Sequence, residues 1–315
     1  MKNPVFVFIP IAAFLGGGFL LHGQSVAPQI EQSRHYDATN VPSLPPEEST
    51  PGTPMPSFAA ESPGDDDLGQ QVILKSKARN QPIAVYGGMD LSHTTNVGLT
   101  DDFQEDDWLW RSSLGVTYSP RFGNYLLGNF SLSQDVFRYD EFDELDFESL
   151  NIGAGLSYNL WFLYGINAGL AFNYNRLTAE DYGQEIFSNR TVTLTLSRNF
   201  ILSRAHFLYL VGGANTAWSD PEEAERNEYT ALAGYHVRIA RDFEVDLSYR
   251  LGYNHYSEID REDLSQTLQL TARYSFTPWL SANASISGSF NDSDRSRFDY
   301  EVLNTGVGFS LFWRF

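Results

Sequence analysis

The chain has 315 residues, 42% hydrophobic and 15% aromatic, with 40 acidic against 21 basic side chains for a formal charge of -19. Such a composition excludes a disordered chain, and its charge argues against nucleic acid as a partner, because phosphate backbones need Lys and Arg to displace their counterions. With no cysteine there is no disulfide framework, thiolate metal site or thiol nucleophile.

Residues 1–25 read as a secretory signal peptide: Lys2, then an apolar run, then small residues around Gly23, Ser25 and Ala27. An uncleaved membrane anchor is the alternative, since the run is just long enough to span; no other segment reaches the roughly 20 continuous apolar residues of a transmembrane helix. Residues 26–80 carry eight of the fourteen prolines and the run Asp65, Asp66, Asp67. That composition predicts a disordered, extended, Pro-rich tether, because it buries too little apolar surface to offset its chain entropy.

From residue 81 the pattern becomes alternating. In SLNIGAGLSYNL, Leu150, Ile152, Ala154, Leu156, Tyr158 and Leu160 share one face, and Ser149, Asn151, Gly153, Gly155, Ser157 and Asn159 share the other. TVTLTLSRNF and LSQTLQLTARYSF repeat this period of two. The solvent face of a soluble sandwich usually carries Lys and Glu. Here the second face is Ser, Thr, Asn, Gln and Gly with occasional Arg, which is the dyad pattern of a transmembrane barrel with lipid outside and a polar lumen inside.

Twelve such segments follow, near residues 83–95, 107–119, 124–138, 147–160, 163–176, 187–199, 205–218, 228–239, 242–256, 263–276, 279–291 and 298–314. Tight turns follow the even segments and longer acidic loops the odd ones. An all-β, antiparallel up-and-down transmembrane barrel over residues 81–315 is therefore expected, in a bacterial outer membrane with both termini periplasmic. Aromatics fall at the segment ends, as rings do at headgroup depth: Tyr118, Tyr158, Trp279 and Trp313 at the turns, and Trp108, Trp110, Phe137, Tyr139, Trp218 and Tyr256 at the loops.

The last segment places Phe309, Leu311, Trp313 and Phe315 on the lipid face, with Gly308 and Arg314 inward. A final strand ending on a terminal Phe, with a Gly upstream and alternating aromatics, resembles the signal that the outer-membrane assembly machinery reads in its clients. The start of the barrel, IAVYGGMDLSHTTNVGLTDD, resembles the first strand and loop of outer-membrane β-barrel porins of Gram-negative bacteria, of the kind linked to exopolysaccharide systems. The resemblance covers residues 81–315, implies a porin-like channel and carries no catalytic residue.

Charge is the informative feature of the barrel segment. From residue 81 onward sixteen arginines face 32 acidic residues, most of them in the loops. The functional reading is an acidic mouth that concentrates cations and, through divalent ions, bridges to lipopolysaccharide; the alternative is a solvated loop surface. On the predicted inner face, Arg111, Arg238, Arg250, Arg273 and Arg314 accompany Asp90, Asp135, Glu244 and Asp246. These charges either orient polar solutes such as sugars or pair into salt bridges that close a narrow barrel.

Twelve strands lie between the filled and the open size classes, so a narrow or partly plugged channel is expected. An enzyme would need a Ser and a His at the outer rim, and only His93 and His255 lie near the loop side. No metal-ligand spacing occurs, so no cofactor is expected. The alternative to a channel is a closed structural barrel that anchors the tether to a periplasmic partner or displays the acidic loops.

Overall fold

The computed structural model describes residues 28–39, 81–102, 104–179, 182–203 and 205–315. The proposed signal peptide and residues 26–27 and 40–80 of the tether lie outside the described residues. The described residues form one α-helix, α1 (Pro28–Thr39), four single 3-10 turns in the connections, and a single sheet. Its strands are β1 (Ile83–Thr94), β2 (Asp107–Tyr118), β3 (Arg121–Phe122), β4 (Leu126–Tyr139), β5 (Phe147–Leu160), β6 (Ile166–Ala179), β7 (Glu185–Ile201), β8 (His206–Asp220), β9 (Asn227–Ala240), β10 (Phe243–Tyr256), β11 (Arg261–Thr277), β12 (Leu280–Ser293) and β13 (Tyr300–Arg314).

Every long strand pairs antiparallel with its sequence neighbour, and β1 pairs with β13 from Ala84↔Arg314 to Thr94↔Asn304, so the sheet closes on itself. Twelve long strands form the barrel. The two residues of β3 are an addition, pairing with β4 inside the turn that follows β2.

Closure explains the alternation. In lipid an unpaired backbone N–H or C=O has no water to bond, so a spanning sheet must have no edge. The closed sheet then has two faces of opposite character. Leu114, Leu132, Leu156, Leu170, Leu194, Leu210, Leu268 and Val307 are exposed on the outer one. Soluble monomers rarely expose an apolar surface of this extent, and here it encircles the barrel. Tyr118, Tyr158, Trp279, Trp313 and Phe315 are exposed at the turn end, and Trp108, Trp110, Trp218, Tyr229 and Phe290 at the loop end.

Phe137, Tyr139 and Tyr256 do not belong to this outer rim. Each is at most 6% exposed, and Phe137 and Tyr139 share the parity of Asp135 on β4 and face inward. They cover part of α1 instead. The ring of Phe137 stacks on Phe147 at 4.3 Å and meets Tyr36 edge-on at 5.1 Å.

Residues 28–39 are helical, where an extended tether was expected. The expectation tested the segment against an apolar core, whereas the interior of this barrel is polar and a polar helix finds partners there. Pro28 suits the first helical turn, where its missing N–H is no loss. Ile30, fully buried among Val97, Leu109, Leu177, Phe187 and Ala224, supplies an apolar anchor.

The β1–β13 seam leaves no room at Gly308. A Cβ there would lie 2.0 Å from Asp90 Oδ1 and 2.8 Å from the Met89 carbonyl oxygen. Gly308→Ala is expected to destabilise the barrel by about 1–3 kcal/mol through this overpacking. Gly212→Ala, whose Cβ would meet nothing within 4 Å, should have little effect. Heat-shifted gel mobility across a temperature series checks both, and equal behaviour of the two variants would contradict the close seam.

Candidate functional site: a helix-filled lumen

The helix occupies the loop-end half of the lumen. Near its start, Gln29 Nε2 donates to the Glu144 carbonyl in a loop at 2.8 Å. Gln32 donates to the Val97 carbonyl, and Arg34 Nη2 donates to the Ala224 carbonyl at 2.6 Å. Farther along and deeper, Asn304 Nδ2 and His35 Nε2 are 2.8 Å apart, and the ring of Tyr36 lies 4.5 Å from the Arg111 guanidinium carbon.

Two ionic clusters of the wall meet the helix. In the deeper one Arg111 forks between two strands: Nε and Nη2 donate to Asp135 Oδ1 at 3.1 and 2.7 Å, and Nη1 donates to Asp90 Oδ2 at 3.0 Å. Nearer the loops, Glu228 pairs with Arg226 at 3.3 Å and with Arg250, and accepts from Asn215 at 2.8 Å. Beside it Arg261 Nε donates to both oxygens of Asp263 at 2.9 Å, while the guanidinium lies 3.7 Å from the Phe298 ring centre. Between helix and wall, Glu31 Oε1 is 3.6 Å from both Arg34 Nη1 and Arg261 Nη2. Burial raises the Glu31 carboxyl, but Arg34, Arg261 and Arg226 outweigh it and hold it below its ordinary value.

A third cluster lies toward the turn end. Tyr209 donates to Asp246 Oδ1 at 2.7 Å, and His236 stands between Asp246 at 3.3 Å and Glu244 at 3.7 Å. Arg273 reaches Glu244 at 3.5 Å. The Tyr209 ring lies across Gly234, where a Cβ would approach within 2.0 Å of it.

The structure thus brings Asp90, Arg111 and Asp135 together, joins Arg250 to Glu228, and groups Glu244, Asp246 and Arg273. Arg238 and Arg314 are exposed at the turn end, Arg314 lying 5.1 Å from the Phe312 ring. Sequence reasoning missed Arg226, Glu228, Arg261 and Asp263 because they flank loops and read as part of the acidic mouth. Their parity was the available signal: Glu228 shares a face with Arg238, and Asp263 with Arg273. It missed Glu31, Arg34, His35 and Tyr36 because they lie in the tether.

Two small spaces lie between the seated helix and the wall. One cavity of about 80 Å³ lies between His35, Tyr36 and the polar wall of Asp90, Gln269, Asn283 and Ser285. Another of about 40 Å³ lies between Glu31, Arg34 and the loop-side cluster. At these two places a solute can lie against the wall only if the helix shifts. Among the described residues no group of three or more His, Cys, Asp or Glu is arranged to hold a metal ion.

His35 couples the seating of the helix to pH. It is buried, and first burial and then the Arg250 charge push its imidazole down to about 4. The seated helix holds the neutral ring, so this contribution is whole above the free value of 6.5 and is lost as pH falls from there toward 4. Asp37 opposes it. Open to lumen water yet enclosed by the wall, it is pushed up to about 6, first by that enclosure and then by Asp135, so protonation favours the seated state below that pH.

The Asp37→Asn variant should therefore loosen by up to about tenfold per pH unit between 6.5 and 4.5, and adding His35→Gln should flatten the profile. A cysteine at Ser33, which is 6% exposed, reports seating through its labelling rate relative to a loop cysteine at Glu223. An acid-tightened Asp37→Asn helix would contradict the assignment.

No family model matches the sequence, and no curated protein matches it. Solved structures do. An outer membrane channel from Pseudomonas putida F1 superposes with a TM-score of 0.53 at 12% identity, over 74% of this chain and 96% of that one. The NanC porin gives 0.42 at 9% identity over 71% and 98%, and the KdgM porin in complex with oligogalacturonate gives 0.40 at 13% identity over 71% and 98%. At 12% identity the likeness to the Pseudomonas putida structure shows the fold alone, a closed antiparallel β-barrel.

Proposed function

We propose that the protein is an outer-membrane channel for small polar solutes, closed in its loop half by its own N-terminal helix. The turn end, where β1 starts and β13 stops, faces the periplasm. The observation that carries this reading is the way the helix is held. Ile30 is its one aliphatic anchor, Arg34, His35 and Tyr36 lie against the rings of Phe187, Tyr256, Tyr300 and Phe137, and the remaining contacts with the wall are hydrogen bonds and ion pairs that water can replace. A purely structural plug would bury a larger apolar face.

The lumen is lined for polar passage. Ser149, Asn151 and Asn175 bond to one another, as do Asn159 with Asn167 and Ser281 with Ser310. The charges Asp90, Arg111, Asp135, Arg250, Glu244, Asp246 and Arg273 pair within the wall, so they stiffen the passage and set local fields across it. The acidic loops act on ions at the mouth, within a Debye length of about 8 Å at physiological ionic strength.

A closed anchoring or displaying barrel is the second reading, favoured by the small volume left beside the helix. Planar-bilayer recording separates the two. Wild-type protein should show brief, infrequent openings, and Glu31→Gln with Arg34→Gln should raise the open fraction several-fold. In a salt gradient the openings should favour cations at about 0.1 M salt and lose that preference near 1 M, where the screening length falls to about 3 Å. A folded but silent double variant would support the closed barrel.

A further inference from the structure

The loop-side cluster is unevenly matched. On the wall, three guanidinium groups, Arg226, Arg250 and Arg261, face two carboxylates. Glu228 is shared by Arg226 and Arg250, and Asp263 is engaged by Arg261. The helix adds Arg34 and a third carboxylate, Glu31, so the seated cluster holds four guanidinium groups against three carboxylates. Glu31 is held loosely: Oε1 is buried, has no hydrogen-bond partner among the described residues, and stands 3.6 Å from the nearest guanidinium nitrogens.

The wall also keeps unused polar atoms at the same place. Arg261, 2% exposed, has its Nη1 buried with no hydrogen-bond partner among the described residues. Asn254, 5% exposed, has its Oδ1 in the same condition. Both residues line the cavity of about 40 Å³ that Glu31 and Arg34 close from the helix side, together with Ser265, Thr267 and Ser289. A water molecule in that space can serve these atoms while the helix is seated. When the helix leaves, Glu31 and Arg34 leave together and the wall keeps three guanidinium groups against two carboxylates, a surplus charge that is costly in a buried site.

We infer that this cluster is a solute subsite for hydroxylated carboxylates, and that Glu31 is its internal occupant, displaced when such a solute binds. The carboxylate takes the place of the Glu31 side chain against Arg261 and Arg226. A hydroxyl on the same molecule donates to Asn254 Oδ1, an acceptor that a bare carboxylate leaves unpaired. Guanidinium groups suit this ligand because they present paired donors to a carboxylate. The inference rests on the plugged-channel reading: the solute opens the channel by competing with the helix for the arginines.

The test is bilayer recording of the full-length protein with D-gluconate, D-glucose or acetate added at matched ionic strength. Gluconate should raise the open fraction several-fold, acetate less, and glucose not at all. Arg261→Gln should abolish the gluconate response. If that variant fails the heat-shift test for folding, Arg261→Lys, which keeps the charge without the fork, should weaken the response about tenfold.

Equal responses to gluconate and glucose, or an unchanged gluconate response in a folded Arg261 variant, would overturn the subsite. Equal responses to acetate and gluconate would overturn the hydroxyl contact to Asn254. A folded protein silent both in the wild type and in Glu31→Gln would instead remove the channel reading and the subsite with it.

Discussion

The absence of water in the bilayer core governs this molecule. Each backbone N–H and C=O of a spanning strand must find its partner in another strand, and the only sheet that meets this demand has no edges. The β1–β13 seam completes it, with ladder pairs running from Ala84 to Thr94 along one strand and from Arg314 back to Asn304 along the other. Closure creates a lipid face and a lumen, and because side chains alternate along a strand, every strand serves both. Leucines and rim aromatics follow from the first demand, and Ser, Thr, Asn and paired charges from the second.

A polar lumen has a further consequence for the N-terminal segment. In an apolar core, the helix PQIEQSRHYDAT would strand Glu31, Arg34 and His35 without partners. Inside this barrel the same side chains meet carbonyls, guanidinium groups and an amide. Helix and lumen are thus complementary in chemistry as well as shape. Those contacts exchange one set of polar partners for another, so each contributes modestly to stability, on the order of 1 kcal/mol for a hydrogen bond. On the proposed reading, a plug held by contacts of this kind stays mostly seated and is shifted by pH, by carboxylates or by substitutions in the ionic cluster.

Most of the barrel was legible in the sequence because a period of two is a local property. Leu150 to Leu160 declares its two faces without reference to any distant residue, and the acidic loops mark where each hairpin turns. The lumen cluster of Asp90, Arg111 and Asp135 was legible as a set of inward charges, though their union through one guanidinium fork depends on register across β1, β2 and β4. The inward rings of Phe137, Tyr139 and Tyr256 were misplaced because position near a loop was weighed above parity. The helix was not legible, since nothing in a Pro-rich, polar stretch specifies that its partners lie in a lumen assembled from strands 60 to 270 residues away. The role of Arg261 and Glu228 was hidden for the same reason.

The central claim is that residues 28–39 seated in the lumen close the passage. Because the chain has no cysteine, a pair introduced at His35 and Asn304, whose side chains meet at 2.8 Å, can be joined by a short thiol-specific linker without competing reactions. Single-channel current across a planar bilayer is then measured before and after cleavage of the linker. The structure predicts a silent channel while the helix is tethered and conducting events after release. Equal current in both states would show that the helix does not obstruct the pore.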